Sequence, residues 1–94
     1  MLTLDRFAAL LGEPFRLCDA AGAAQTLRLV EAQPLGSAEL GGRRPFSLIF
    51  EGPGGAPLAQ QTYRFEQSAF DVLEMFIVPV GRGASSIQYQ AVFN

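Results

Sequence analysis

Apolar and polar residues alternate along most of this chain of 94 residues. Such a period of two is typical of β-strands with one face in a core. The alternating segments are separated by clusters of glycine, proline, serine and aspartate, which favour turns. The pattern predicts six short strands, at about residues 14–18, 25–32, 46–51, 62–67, 73–80 and 87–93.

The segment from Leu73 to Val80 is the most apolar of the six, with Glu74 as its single charged residue. A short run of this kind is typical of a strand that is buried on both faces. Pro79 and Gly81 mark its expected end. We therefore predict that this segment is the central strand, against which the others pair.

A different period, that of a helix, is found only near the start of the chain, over residues 3–11. Leu4, Phe7, Ala8 and Leu11 have the spacing of one apolar helix face. Thr3 is a suitable N-cap and Gly12 a suitable C′ residue. A helix this short is marginal alone, so we expect it to dock on the sheet.

Together these segments predict one domain over residues 1–94, since the sequence contains no linker and no repeat. The expected fold is mainly β. About six antiparallel strands form a meander that closes, or nearly closes, into a small barrel or sandwich, with the N-terminal helix packed on it. Closure would remove the exposed edges of a free sheet.

Not every apolar residue fits on the inner face of these strands. The inner faces already supply enough side chains for one core, and five apolar residues remain on the outer faces: Val30, Ile49, Phe76, Val78 and Val92. One interpretation, which we favour, is that the helix covers them. The other is that they form a surface for a protein partner or a second copy of the chain. A helix of nine residues is too short to cover the whole outer face, so both interpretations contribute.

The long connection over residues 33–45 is a second candidate contact region, because loops of this length are often functional. It ends in Arg43 and Arg44, which suit an acidic partner. A solvated pair of surface arginines is the more ordinary interpretation.

Charge and composition argue against several classes of function. The net charge is −2, which gives no basic field for nucleic acid. With no histidine and one cysteine, the chain has no intramolecular disulfide and no cysteine-based metal cluster, and we expect no cofactor and no metal. No segment has the length of a membrane span or the pattern of a signal peptide, so we predict a cytoplasmic protein.

Catalytic groups are also sparse. Without histidine, general acid–base chemistry would need cooperating carboxylates, and no pair has a suitable spacing. Glu66 and Glu74 are expected on neighbouring strands, but they point outwards beside Arg64, as in a solvated ion-pair surface. We therefore predict that the protein is not an enzyme.

Three segments resemble a family of small bacterial domains of unknown function. They are residues 61–66, 73–81 and 89–94, and the family pattern is roughly TYRLEHP…LELFLVPVG…YEAVFN. Residues 2–17 and 43–53 also fit, so the resemblance covers nearly the whole chain. Gln67, Ser68 and Asp71 depart from the residues usual in the family, of which the first is a histidine. Genes of this family often lie near those of phage-tail-like or tail-collar proteins, which implies a structural or accessory role.

Two functions from different classes follow. The first is a non-enzymatic structural or protein-interaction module, an accessory of a tail-like or collar-containing assembly. The alternative is a small β-barrel that binds an apolar ligand in a cavity lined by Tyr63, Tyr89 and the phenylalanines. A barrel of six strands is more often filled by its own side chains.

Overall fold

The computed structural model describes residues 2–18, 22, 24–36 and 44–94. Its helix α1 spans Leu4–Ala8. Its six strands are β1 Pro14–Cys18, β2 Ala24–Pro34, β3 Phe46–Pro53, β4 Gln61–Glu66, β5 Leu73–Arg82 and β6 Ser86–Phe93.

The six strands form a closed, antiparallel barrel in the order β1-β2-β3-β6-β5-β4. This confirms the predicted class: a mainly β barrel with one short N-terminal helix. The connectivity is that of two meanders, β1-β2-β3 and β4-β5-β6. They join where β3 pairs with β6 over its whole length, and where Arg16 and Leu17 of β1 pair with Glu66 and Phe65 of β4.

The connection from β3 to β4 crosses one end of the barrel, because these two strands lie on opposite sides of the ring. Leu58, in the middle of this connection, is only 7% exposed and closes that end. Its backbone N–H donates to the Tyr89 hydroxyl at 3.0 Å, and the Tyr63 hydroxyl donates to the Ala59 carbonyl at 2.8 Å. The two tyrosines therefore hold the crossing connection in place.

Helix α1 closes the other end of the barrel with the fully buried Phe7. The Phe7 ring packs against four others, with centroid distances of 5.0–6.3 Å: Phe15, Phe46, Phe70 and Phe93. Since α1 lies at the barrel end, it leaves the side of the barrel open. The favoured interpretation, that the helix covers the outer apolar residues, is wrong for Val30, Phe76 and Val92, which remain exposed.

The helix is shorter than its apolar period suggested. Thr3 caps it as expected, since its hydroxyl accepts from the Arg6 N–H at 3.4 Å. Beyond Ala8 the chain tightens into a turn, and the Gly12 N–H then donates to the Leu29 carbonyl of β2 at 2.7 Å. Gly12 has a φ of +85°, a conformation that glycine adopts readily. Hydrogen bonding to β2 thus ends the helix before residue 11.

The inward faces of the strands form one apolar core, and no charged or polar residue is buried among the described residues. Alternation predicted most of this core correctly, although Phe93 is only partly buried. The hydrophobic core also includes three residues from outside the predicted inner faces: Phe7, Leu58 and Leu73.

Two strands contain a bulge that the alternation did not predict. In β2 the register shifts between Leu29 and Glu31, and in β5 it shifts between Pro79 and Gly81. Pro79 has no N–H to give to a ladder, and next to a bulge it is tolerated. Strand β5 therefore continues to Arg82, past the residues expected to end it.

Candidate interaction surface

The outer faces of β2, β3, β6 and β5 carry a cluster of apolar side chains, which we call the outer apolar patch. It comprises the five residues singled out from the sequence together with Val80: Val30, Ile49, Phe76, Val78, Val80 and Val92. Phe76, Val80 and Val92 are 51%, 50% and 48% exposed, and Val30 is 36% exposed. Ile49 and Val78 are half-buried.

Strand register brings these residues together although they are distant in sequence. Ile49 of β3 lies opposite Gln90 of β6, which in turn lies opposite Val78 of β5. Val30 occupies the bulge beside Ile49. One row of side chains thus crosses four neighbouring strands, with a glutamine between its aliphatic members.

A second row continues the patch towards the end of the barrel that α1 closes. Val92 of β6 lies opposite Ser47 of β3, and Phe76 lies opposite Thr62 of β4. Both Val92 and Phe76 lie two residues beyond the Gln90–Val78 pair, on the same outward face. Because β2 and β5 lie on opposite sides of the closed ring, the two rows curve around the barrel. Phe76, Val78 and Val92 share one face, on the adjacent strands β5 and β6.

Val80 was not among the residues singled out from the sequence. It follows Phe76 and Val78 at the same outward spacing, and this period of two was the available signal. The bulge keeps Val80 in β5 and on the outside.

The wall formed by β1 and β4 differs in character, because it is charged. Arg16 and Glu66 form a salt bridge of 2.7 Å, with 55% and 66% of their side chains exposed. Arg64 lies directly opposite Glu74 in the β4–β5 ladder, while the Glu66 carboxylate is bound by Arg16. Opposite charges across strands suit a solvated surface.

Of the two arginines singled out from the long loop, the structure describes only one. Arg43 lies outside the described residues. Arg44 is exposed immediately before β3, at the end of the barrel closed by α1. Nearby, the Leu35 N–H donates to the Pro45 carbonyl at 2.8 Å and closes the base of the connection.

A shallow groove runs along the charged wall, lined by Glu13, Arg16, Thr26, Glu66 and Gln67, among others. Gln67 connects two segments here. Its amide donates to the Pro14 carbonyl at 3.1 Å and its carbonyl accepts from the Ala69 N–H at 2.8 Å. Both ends of this side chain are thus used within the fold.

The ligand-binding alternative placed Tyr63 and Tyr89 in the lining of a cavity. In the barrel, both tyrosines have partners within the fold. Tyr63 and Tyr89 are 5% and 1% exposed, and their hydroxyls bond to the crossing connection. Around them the space is packed with phenylalanine, leucine and isoleucine side chains. This packing fits a barrel filled by its own residues.

Over the described parts of the chain, no three histidine, cysteine or acidic residues lie close enough to hold a metal ion. Within the same ranges, no helix has the length and apolarity that crossing a membrane requires. Cys18 is exposed and has no disulfide.

Comparison with known proteins gives one family. The model of a family described as "Domain of unknown function (DUF6916)" matches residues 2–93. No curated protein and no solved structure matches the chain.

Proposed function

We propose that this chain, which belongs to the DUF6916 family of domains of unknown function, is a non-enzymatic interaction module that binds a protein through the outer apolar patch. The observation that carries the proposal is the exposure of Phe76, Val80 and Val92 on the outward faces of the adjacent strands β5 and β6. Contiguous apolar surface of this kind usually marks a contact site.

Energetics favour a partner for the outer apolar patch. Burial of apolar surface contributes about 25 cal/mol for each Å² removed from water. Phe76 is the largest side chain of the patch, and half-exposed aromatic residues are frequent anchors of interfaces. Ile49 and Val78 are more buried than the exposed members and lie beside them.

Other features of the barrel support a binding role over the alternatives. Its core is apolar throughout the described residues, and a core of this kind offers no buried polar group to bind a substrate. The carboxylate of Glu66 is engaged by Arg16 on the surface. The hydroxyls of Tyr63 and Tyr89 support the fold, which favours a filled barrel over one that holds a ligand.

The resemblance described above makes the proposal more specific. A bacterial, cytoplasmic accessory protein of a tail-like or collar-containing assembly needs a stable scaffold and a surface for docking. A closed barrel with exposed apolar side chains on the adjacent strands β5 and β6 offers both. Arg44 lies near one end of the barrel and would contact an acidic margin of the partner.

The test is co-expression of the tagged chain with a tail-like or collar-containing protein from the same genome, followed by affinity purification. Phe76→Glu and Val92→Glu place a charge in the patch, and each should abolish retention of the partner. Val72→Glu is the matched control, because Val72 is 64% exposed in the turn before β5, away from the patch.

Thermal unfolding of each variant shows whether the barrel still forms. Equal retention by wild type and by folded patch variants would overturn the proposal, as would retention by none of them. Turnover of a small substrate by the purified chain would contradict the non-enzymatic role.

A further inference from the structure

We infer that the partner binds as an added β-strand, in which an extended segment of another protein pairs with the open edge of β5 at Glu74 and Phe76. The inference rests on the proposed function, since it uses Phe76 and Val92, and it names the way in which the partner binds. Three observations support it: the end of the β5–β6 ladder, the direction of the backbone groups beyond that end, and the side chains beside them.

The first observation is that β5 changes partners along its length. Its residues from Leu73 to Ile77 pair with β4, whereas its pairing with β6 begins only at Val78. Strand β6 itself continues to Phe93 in its ladder with β3. Among the described residues, the first half of β5 therefore has no ladder partner on the side that faces β6.

The second observation concerns the direction of the backbone groups on this half of β5. In an antiparallel ladder, the N–H and C=O groups of successive residues point to opposite sides of the strand. The Leu29 N–H donates to the Glu13 carbonyl at 3.2 Å, and from this bond the ladders of β2, β1 and β4 fix the direction in β5. Met75 thus points towards β4, whereas Glu74 and Phe76 point towards β6.

This edge is open within the part of the chain that the structure describes. No loop or side-chain hydrogen bond there involves Glu74 or Phe76, and α1 packs beside β2. Unpaired N–H and C=O groups at a sheet edge are a template for another strand. A helix or a small apolar ligand could cover the Phe76 ring without using these groups, so they favour an extended segment.

The third observation is the nature of the side chains along this edge. Phe76 and Val92 are 51% and 48% exposed, and both lie two residues beyond the Val78–Gln90 pair. Glu74 is exposed on the same face of β5 as Phe76. An added strand therefore fits best with an apolar residue beside Phe76 and a basic residue beside Glu74, with one residue between them.

The equivalent opening in the other meander is less suited to a partner. There the β2–β3 ladder ends at Arg28 and Glu51, and the residues two positions further are Thr26 and Pro53. Thr26 is polar, and Pro53 has no N–H to offer. This opening supplies a matched control position.

Amide hydrogen exchange of the purified full chain, followed by NMR, tests the open edge. The N–H groups of Glu74 and Phe76 should exchange much faster than those of Met75 and Ile77, which pair with β4. Equal protection of these amides would overturn the inference.

Selection from a displayed library of random short peptides tests strand addition itself. The peptides selected should carry a basic and an apolar residue separated by one position, and they should slow the exchange of the Phe76 N–H. Phe76→Ala should weaken their binding roughly tenfold or more, whereas Thr26→Ala should leave it unchanged. N-methylation of the peptide amide that faces β5 should also weaken binding roughly tenfold, although it removes no side chain.

The absence of any selected peptide, or peptides that leave the Phe76 N–H unprotected, would overturn strand addition. If a tail-like or collar-containing protein were still retained through Phe76, the proposed function would stand and only the mode of binding would fall. If that protein were not retained either, both would fall.

Discussion

Val30 and Val80 occupy matching bulges, in β2 and in β5, on either side of the β3–β6 pair. Each is the extra residue of its ladder, and each is exposed on the outer wall. The two meanders are equivalent in the ring: if β1 is exchanged with β4, β2 with β5 and β3 with β6, every strand keeps the same neighbours. The bulges thus lie at corresponding places in the two meanders and add a valine to each flank of the patch.

The bulge in β5 gives the first prediction. Deletion of Val80 removes the extra residue, so Gly81 and Arg82 can keep their partners Gln88 and Ile87, but β5 loses the bend and twist that the bulge gives it. Val80→Ala keeps the bulge and changes only an exposed side chain, so its effect should stay within about 0.5 kcal/mol. Urea unfolding should show a much larger loss for the deletion. Equal losses would mean that the bend at the bulge does not contribute to stability.

The hydrogen bond between Leu58 and Tyr89 gives the second prediction. Tyr89→Phe leaves the buried N–H of Leu58 without its acceptor, which should lower the free energy of unfolding by about 1–3 kcal/mol. Tyr63→Phe is the comparison, because its bond to the Ala59 carbonyl is only partly buried and water can replace it. Chemical denaturation measures both. A loss at position 63 equal to that at position 89 would contradict the role of Tyr89.

Gly52 gives the third prediction. It lies in β3, and a Cβ atom there would come within 2.4 Å of the Leu27 side chain in the core. Gly52→Ala should therefore cost about 1–3 kcal/mol through overpacking. Gly81→Ala meets only the flexible end of Gln88, at 3.3 Å, and should have little effect.

A double-mutant cycle checks the cause of that loss. If overcrowding is responsible, Leu27→Val should recover part of the stability lost in Gly52→Ala, so that the two changes are not additive. Strict additivity would show that the loss arises elsewhere, for example in the turn after β3.

The closure of the barrel by α1 gives the fourth prediction. Phe7→Ala removes a fully buried ring that contacts four other rings, and it should cost about 3–5 kcal/mol. Leu11→Ala changes a residue that is 50% exposed in the turn after the helix, and should be nearly neutral. Thermal and urea unfolding compare the two. A small loss for Phe7→Ala would show that α1 does not contribute to the core.

Much of the local structure was readable from short-range patterns. Phe15 and Leu17 alternate with polar neighbours, and both are buried on the inner face of β1. Thr3 caps α1 as its side chain suggests. Gly52 and Pro79 were read less well, because glycine and proline favour turns in general but here lie within strands. A packed leucine and a bulge explain those two positions.

The sequence by itself determined that the chain forms six half-buried strands and a capped N-terminal helix. It also determined which face of most strands is apolar, because that information lies in the period of neighbouring residues. Only the tertiary structure decided the strand order, the closure of the barrel ends by Phe7 and Leu58, and the meeting of Phe76, Val78 and Val92 on the adjacent strands β5 and β6. These features depend on pairing and register between distant segments, which no local period contains.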